Sequence, residues 1–189
     1  MKLIGKRIIV RELSFKDTDD YYEYGKSENV GPNAGWKPFS SKEIANRMLS
    51  SAILSKDCYA IALKDSNKLI GTISIYNNAI RKYKYAKSLG FSLNEVYWNN
   101  GYMTEAVNLV IDYVFSKTDC EVLEIGHHSD NYRSKRVIEK CGFKYDGRLC
   151  KYKALYDGTV IDADFYSITK EEYERKKDYE KRIKTEIWF

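Results

Sequence analysis

A short turn between a predicted strand and a predicted helix has the composition of an anion-binding loop. It reads Trp98-Asn99-Asn100-Gly101-Tyr102-Met103-Thr104-Glu105-Ala106. The first N–H groups of a helix have no intrahelical partner, and the helix dipole adds partial positive charge there. Gly101 lets the backbone approach an anion without interference from a Cβ atom. A single glycine at such a turn is more typical of an ordinary strand-to-helix connection, so the turn alone does not define a ligand.

A second motif lies in the same strand-to-helix context. It reads Asn131-Tyr132-Arg133-Ser134-Lys135-Arg136-Val137-Ile138-Glu139-Lys140-Cys141-Gly142-Phe143. Together the two motifs resemble those of the GNAT acetyltransferases, and especially the branch of Rim-type ribosomal-protein N-terminal acetyltransferases. The first pattern is matched at Trp98, Gly101, Tyr102, Thr104, Glu105 and Ala106, and the second at Asn131, Ser134, Val137, Glu139, Lys140, Gly142 and Phe143.

The resemblance covers roughly residues 5 to 173, because Arg7–Leu13 resembles the first strand of the branch and Asp157–Ser167 its closing hairpin. It implies an α+β fold with a single mixed, mostly antiparallel sheet, helices on both faces and splayed central strands at a cofactor cleft. It also implies the transfer of an acetyl group from acetyl-CoA, a co-substrate, to a primary amine by direct attack in a ternary complex. The acceptor stays open between a protein N-terminus, a small-molecule amine such as a polyamine, and an amine-bearing antibiotic or toxin.

Two other functions remain as alternatives from different classes. The chain could be a catalytically silent sensor of acyl-CoA, or a binding module associated with RNA or the ribosome. The net charge of +5 favours the second alternative slightly.

The resemblance assigns the cofactor contacts residue by residue. Backbone N–H groups of the turn would hold the pyrophosphate of coenzyme A, Leu93 would pair with the pantetheine arm, Asn131 would hydrogen-bond the same region, and Ser134 would lie near the thioester sulfur. The predicted cofactor residues are Leu93, Trp98, Asn99, Asn100, Gly101, Tyr102, Met103, Thr104, Asn131 and Ser134. Asn131 also suits a plain helix N-cap, and the Ser134 hydroxyl could be satisfied by its own helix.

The catalytic groups are less well defined. Ile138 stands where many GNAT enzymes have a tyrosine acid, so Ser134 or solvent would protonate the leaving thiolate. Lys153 and Ser88 occupy positions where relatives often have carboxylates. The general base is therefore expected among Asp162, Glu105, His127, His128 and an ordered water, with Asp162 the first choice; bracing of the closing hairpin is its alternative role.

Trp36, in the loop Gly35–Phe39, is the candidate acceptor residue, since the loop resembles the acceptor-side loop of these enzymes. Trp36 could equally cover the core. The two histidines are adjacent and have no second ligand near them in sequence, so we expect no metal site.

Composition and charge indicate which partners and which cellular location to expect. The net charge of +5 is spread over interleaved Lys, Arg, Asp and Glu, whereas nucleic-acid binders usually concentrate basic residues on one segment, so we expect no nucleic-acid partner. The four cysteines lack a Cys-x-x-Cys spacing and are expected to be reduced. No apolar stretch has the length of a membrane span and no signal peptide is evident, so we expect a cytoplasmic protein without a membrane partner.

The predicted organisation is one acetyltransferase domain over residues 1–173, followed by a charged helical extension over 174–189. The extension could form a solvated helix or dock on a second copy, which makes a homodimer possible. Periodicity predicts strands at Arg7–Leu13, Cys58–Leu63, Leu69–Tyr76, Tyr83–Leu93, Glu121–His128, Tyr152–Tyr156 and Val160–Ser167. It also predicts a loop at Gly31–Pro38, capping boxes at Ser40 and Glu43 and at Thr169 and Glu172, and a helix at Arg133–Cys141 that ends at Gly142. The second capping box opens a last helix over Lys170–Phe189.

Overall fold

The computed structural model describes residues 1–77 and 80–186, with side chains described up to residue 183. Within these residues the strands form one eight-stranded sheet in the order β1-β2-β3-β4-β5-β6-β8-β7. The strands are β1 (Leu3–Ile4), β2 (Ile8–Glu12), β3 (Cys58–Leu63), β4 (Leu69–Tyr76), β5 (Ala86–Leu93), β6 (Val122–His128), β7 (Lys144–Ala154) and β8 (Val160–Thr169). All neighbouring strands are antiparallel except the central pair β5 and β6.

Helices cover both faces of the sheet. Neighbouring strand residues face opposite sides, so one strand can contribute buried side chains to both layers. The helices are α1 (Thr18–Gly25), α2 (Gly31–Ala34), α3 (Lys42–Ser55), α4 (Tyr102–Lys117), α5 (Tyr132–Lys140) and α6 (Lys170–Glu186). On β3, Ile61 belongs to the larger buried cluster under α4, whereas its neighbour Ala60 belongs to the cluster under α1 and α3. The fold is the mixed, mostly antiparallel sheet that the sequence predicts.

The central parallel pair separates halfway along its length. Residues Ala86 to Leu89 of β5 pair with Val122 to Ile125 of β6, and no pairing follows beyond Leu89 and Ile125. The remainder of β6 instead stays paired with β8 as far as His128, and the remainder of β5 stays paired with β4. The sheet therefore opens into a V between its two halves, which creates the splayed cleft that the family resemblance implies.

Several element boundaries differ from the sequence-based expectation. The predicted loop at Gly31–Pro38 contains the short helix α2, in which Pro32 suits the first turn because its missing N–H is not needed there. The strand predicted from Tyr83 begins only at Ala86. The N-cap of α3 is Ser41 rather than Ser40, with the Ile44 N–H donating to Ser41 Oγ at 3.4 Å.

The closing hairpin also departs in detail, whereas the last helix begins where the sequence predicts. Strand β7 begins at Lys144, far earlier than the predicted Tyr152, and its register with β8 shifts between Leu149 and Lys153. Helix α6 runs without a break across the predicted domain boundary at residue 173, and Tyr173 packs on Phe115 of α4. The last predicted helical residues, 187–189, lie outside the described part of the chain.

Candidate active site

Residues 99–104, here called the cradle, comprise a tight turn and the first three residues of α4. Asn99 has φ 61° and Gly101 has φ 77°, a region that asparagine tolerates and glycine adopts freely. Within the described chain, none of the backbone N–H groups of residues 99–104 has a protein acceptor, and α4 has no side-chain N-cap bond. A run of unpaired donors at a helix N-terminus is an anion site, and the cradle therefore suits a pyrophosphate.

Arg7 holds the cradle in place, a role that the sequence did not reveal. Its Nη1 donates to the Asn100 carbonyl at 2.8 Å, and its guanidinium lies 4.6 Å from the centre of the Tyr102 ring. Its Nε forms a salt bridge of 2.9 Å with Glu105. Arg7 immediately precedes β2, so only the folded sheet brings it next to α4, and no local sequence signal could have identified it.

The same contacts determine the role of Glu105. Burial alone would raise the pKa of its carboxyl group, but hydrogen bonds from the Arg7 N–H and guanidinium outweigh burial and lower this pKa. A carboxylate that is ion-paired and hydrogen-bonded in this way is a poor proton acceptor. Glu105 stabilises the start of α4 and is not suited to be the general base.

The edge of β5 beyond the splay carries free backbone groups. The Asn94 N–H donates to the Ile70 carbonyl of β4, and residues of an antiparallel strand turn their backbone groups to alternate sides. Phe91 and Leu93 therefore direct their N–H and C=O groups into the opened V. The Leu93 carbonyl accepts a 2.8 Å bond from the Trp98 indole, so the remaining groups are free to pair with an extended ligand.

Helix α5 forms the other wall of the cleft. Asn131 is its N-cap, the alternative considered for this residue, and the Asn131 side chain accepts a 3.1 Å hydrogen bond from the Ser134 N–H. Asn131 also lines the cleft. The guanidinium of Arg133 lies 4.5 Å from the Trp98 ring centre and ties α5 to the cradle. Between these walls is a cleft of about 600 Å³, the cradle cleft, whose lining includes three basic side chains, Arg133, Arg136 and Lys140.

A second cavity of about 350 Å³ opens on the other side of the V; we call it the Trp36 cavity. It lies between the α2–α3 loop, β4, β5, β6 and the β7–β8 hairpin. The two cavities share the residues Asn33, Ala34, Phe91, Ser92 and Ser134. The Ser134 side chain is half-buried at this junction, and its hydroxyl makes no hydrogen bond within the described protein.

Trp36 covers the core and also lines a cavity. Its ring stacks on Phe39 with 6.3 Å between centroids, and its Nε1 lies 3.5 Å from the Gly25 carbonyl, which anchors the indole to the core under α1. The same residue lines the cavity that carries its name.

The structure does not bring Asp162 to either cavity, which corrects the sequence-based choice of general base. Ile161, Ala163 and Phe165 of β8 line the Trp36 cavity, so Asp162, in an alternate position, faces the opposite side of the sheet. Its Oδ1 accepts from the Lys151 N–H at 2.8 Å, where Lys151 has φ 51° in the β7 irregularity. Asp162 braces the closing hairpin.

The two histidines separate as strand alternation requires. His127 is buried and stacks on Tyr166, and its Nδ1–H donates to the His128 carbonyl at 2.6 Å. His128 is half-buried and lies on the sheet face of the Trp36 cavity, opposite Ala163. Burial lowers the pKa of His128; the nearby Asp130 opposes this shift, and Lys153 and His127 reinforce it. His128 is therefore a neutral imidazole at pH 7.

Comparison with known proteins agrees with this geometry. Residues 7–144 match the family model described as the acetyltransferase (GNAT) domain. Because the match spans most of the chain, the protein belongs to the GNAT acetyltransferase family. It is an acetyl-CoA-dependent N-acetyltransferase, and acetyl-CoA is its co-substrate. The family match does not by itself select the Rim-type branch.

Individual relatives span nearly the whole chain. An uncharacterized N-acetyltransferase of Bacillus subtilis, YoaA, is 28% identical over 169 residues, covering 87% of this chain and 94% of the relative. A GNAT-family acetyltransferase structure from Bacillus anthracis superposes with a TM-score of 0.81 at 23% identity, covering 91% of this chain and all of that one. The ribosomal-protein-S5-alanine acetyltransferase of Vibrio fischeri superposes with a TM-score of 0.72 at 25% identity, covering 90% and 97%.

Two features are absent from the described residues. None of their helices is long and apolar enough to cross a membrane. They also contain no group of three or more His, Cys, Asp or Glu side chains arranged to hold a metal ion.

Proposed function

We propose that the protein acetylates a primary amine bound in the Trp36 cavity, by direct attack on acetyl-CoA bound in the cradle cleft. The observation that carries the proposal is the junction of the two cavities at Phe91, Ser92 and Ser134. Two substrates that enter from opposite sides of the sheet can meet at this junction. Such an arrangement needs no acetylated protein side chain.

The residues of the cradle cleft fit coenzyme A. The cradle N–H groups would accept the pyrophosphate, and the three basic side chains on α5 would balance the phosphate charge. The free backbone groups of Phe91 and Leu93 would pair with the pantetheine amides as an added strand does. These assignments keep the predicted cofactor residues and add Arg7 as the brace of the cradle.

We assign His128 as the general base. The bound acceptor arrives mostly as an ammonium ion and must lose a proton before it can attack. His128 faces the Trp36 cavity as a neutral imidazole, and no carboxylate from the described residues lines that cavity. His128 would take the proton directly or through one water.

The remaining groups complete the proton balance. Acetyl-CoA supplies the acetyl group as a thioester. The amine nitrogen forms the new C–N bond, the C–S bond breaks, and the sulfur leaves with the electron pair. A backbone N–H of Phe91 or Leu93 would stabilise the negative charge on the carbonyl oxygen. As the C–S bond breaks, the nitrogen gives its second proton to solvent. Either solvent or the Ser134 hydroxyl, which regains its proton from solvent, protonates the thiolate, whose conjugate acid has a pKa of about 8.5.

Initial-rate kinetics test the ternary complex. Velocities measured over a grid of acetyl-CoA and amine concentrations should give double-reciprocal lines that intersect. Parallel lines are the signature of a covalent acetyl-protein intermediate, and they would contradict direct attack. No product with any amine, despite cofactor binding, would instead identify a silent acyl-CoA sensor.

Replacement of Ser134 by alanine tests its role as the acid. We expect the turnover number to fall about tenfold, below the usual range for general acids, because a thiolate leaves easily. Cofactor affinity should stay nearly unchanged, since the backbone N–H of residue 134 still donates to Asn131. Steady-state assays at saturating amine, with a separate coenzyme A titration, measure both. An unchanged turnover number would leave solvent as the acid.

A further inference from the structure

The Trp36 cavity has an unusual charge for a site that receives an ammonium ion. Its lining, within the described residues, contains no aspartate or glutamate. The titratable residues in its lining are Lys153, His127, His128, Tyr76 and Tyr152. The His127 ring stacks on Tyr166 at the opposite face of the sheet, so His127 contributes mainly its backbone. Much of the remaining wall carries neutral hydroxyl groups, from Thr72, Ser74, Ser88 and Ser92.

Lys153 is the lysine in the lining of this cavity, and its side chain is exposed. It lies on β7 opposite Ile161, at the edge of the register shift. Its ammonium comes within 3.5 Å of the position where a Cβ on Gly35 would lie, so it reaches across the mouth of the cavity to the loop that carries Trp36. No carboxylate of the described chain forms a salt bridge with Lys153.

The nearby carboxylates lie on the opposite face of β8 or line the other cleft. Asp162 and Asp164 occupy alternate positions on the opposite face of β8, and Asp164 forms a salt bridge of 2.7 Å with Arg148. Asp130 acts on His128 but lines the cradle cleft rather than the Trp36 cavity. The positive charge of Lys153 is therefore available to a ligand.

We infer that the acceptor is a primary amine that also carries an anionic group, a carboxylate or a phosphate, which pairs with Lys153. This inference rests on the proposed function and specifies its substrate class. The amine must reach the junction at Ser134, whereas the anionic group stays at the mouth near Gly35. A polyamine or an aminosugar would place a second ammonium near Lys153 with no carboxylate to receive it, and such acceptors are disfavoured.

A matched set of aromatic amines tests the charge preference at nearly constant shape. The probes are 4-(aminomethyl)benzoate, the corresponding benzamide, the corresponding bis(aminomethyl) diamine, and 4-(aminomethyl)phenylphosphonate. Their dissociation constants are measured by calorimetry on the protein saturated with coenzyme A, where no turnover occurs. We expect the benzoate to bind about tenfold more tightly than the benzamide and about 100-fold more tightly than the diamine. The phosphonate arm shows which anion is preferred.

Variants assign the preference to one residue. Lys153→Glu should invert the order of the probe affinities, so that the diamine binds best. Lys153→Met should make the affinities nearly equal. Lys2→Glu changes the net charge equally, but Lys2 is exposed beside β1, at the opposite edge of the sheet from β7, and the order should persist. Melting temperatures confirm that each variant is folded.

The outcomes separate the two proposals. Equal binding of the four probes to the wild-type protein, or an order that Lys153→Glu leaves intact, overturns the inference. The same probes are then supplied with acetyl-CoA, and thiol release is followed. Tight binding of the benzoate without acetylation would uphold the charge preference and contradict the proposed function. Equal acetylation of all the probes would support the proposed function and contradict the charge preference.

Discussion

Replacing His128 with glutamine should lower the turnover number about 100-fold at pH 7.5, within the range for loss of a general base. The amide retains hydrogen-bonding capacity but cannot accept the proton of the bound ammonium. Acetyl-CoA affinity should be unchanged, because His128 lies in the Trp36 cavity and not in the cradle cleft. Steady-state kinetics with saturating amine and a coenzyme A titration measure both effects.

The pH profile distinguishes a base from a residue that merely shapes the cavity. Because the pKa of His128 is lowered below its ordinary value of 6.5, its neutral form persists at pH 7, and activity should fall only as the pH drops through this lowered pKa. This loss of activity at low pH, the acid limb of the profile, should be absent from the His128→Gln variant. His127→Gln is the matched control, since His127 packs against Tyr166 on the opposite face and should keep the limb. A His128→Gln enzyme with the acid limb intact would exclude His128 as the base.

Replacing Gly101 with valine should weaken acetyl-CoA binding about 100-fold and also destabilise the fold. The affinity loss corresponds to losing about two charge-assisted backbone hydrogen bonds at the cradle, each contributing about 1.5 kcal/mol. The stability loss, about 1–3 kcal/mol, follows from φ 77°, which a β-branched residue adopts only with strain. Calorimetric titration with coenzyme A and denaturant unfolding measure the two quantities separately.

Gly158→Val separates strain from ligand contact. Gly158 has φ 86° in the β7–β8 turn, with nothing within 4 Å of an added Cβ, so valine there should impose similar strain without touching the cradle. We expect a comparable loss of stability with normal cofactor affinity. If Gly101→Val also bound coenzyme A normally, the cradle would not be the pyrophosphate site.

Local sequence signals predicted the elements that carry their own pattern. β3 and β4 were predicted residue for residue, and Gly142 ends α5 in the left-handed conformation expected of a C′ residue. The capping box of α6 is also confirmed, since Thr169 and Glu172 exchange side-chain and backbone hydrogen bonds of 3.0 and 3.3 Å. In each case, the residues that determine the structure are neighbours in sequence.

Features that depend on the assembled sheet were not predictable in this way. Arg7 reaches the cradle only because β2 lies beneath α4. The choice between Asp162 and His128 required the alternation of β6 and β8, and the irregularity at Lys151 that draws in the Asp162 carboxylate has no clear sequence signature. Strand β7 was cut short in the prediction because its side chains are mostly exposed and show no apolar alternation.

The most direct test of the central claim is a single-turnover experiment analysed by mass spectrometry. The protein, in excess, is mixed with acetyl-CoA alone, sampled over seconds to minutes, and then given a primary amine. Direct attack at the junction of the two cavities predicts no coenzyme A release and no gain of 42 Da by the protein before the amine arrives, the mass of an added acetyl group being about 42 Da by simple stoichiometry. After the amine is added, one acetylated amine should form for each acetyl-CoA consumed. Coenzyme A release with acetylation of the protein before any amine is present would contradict the account.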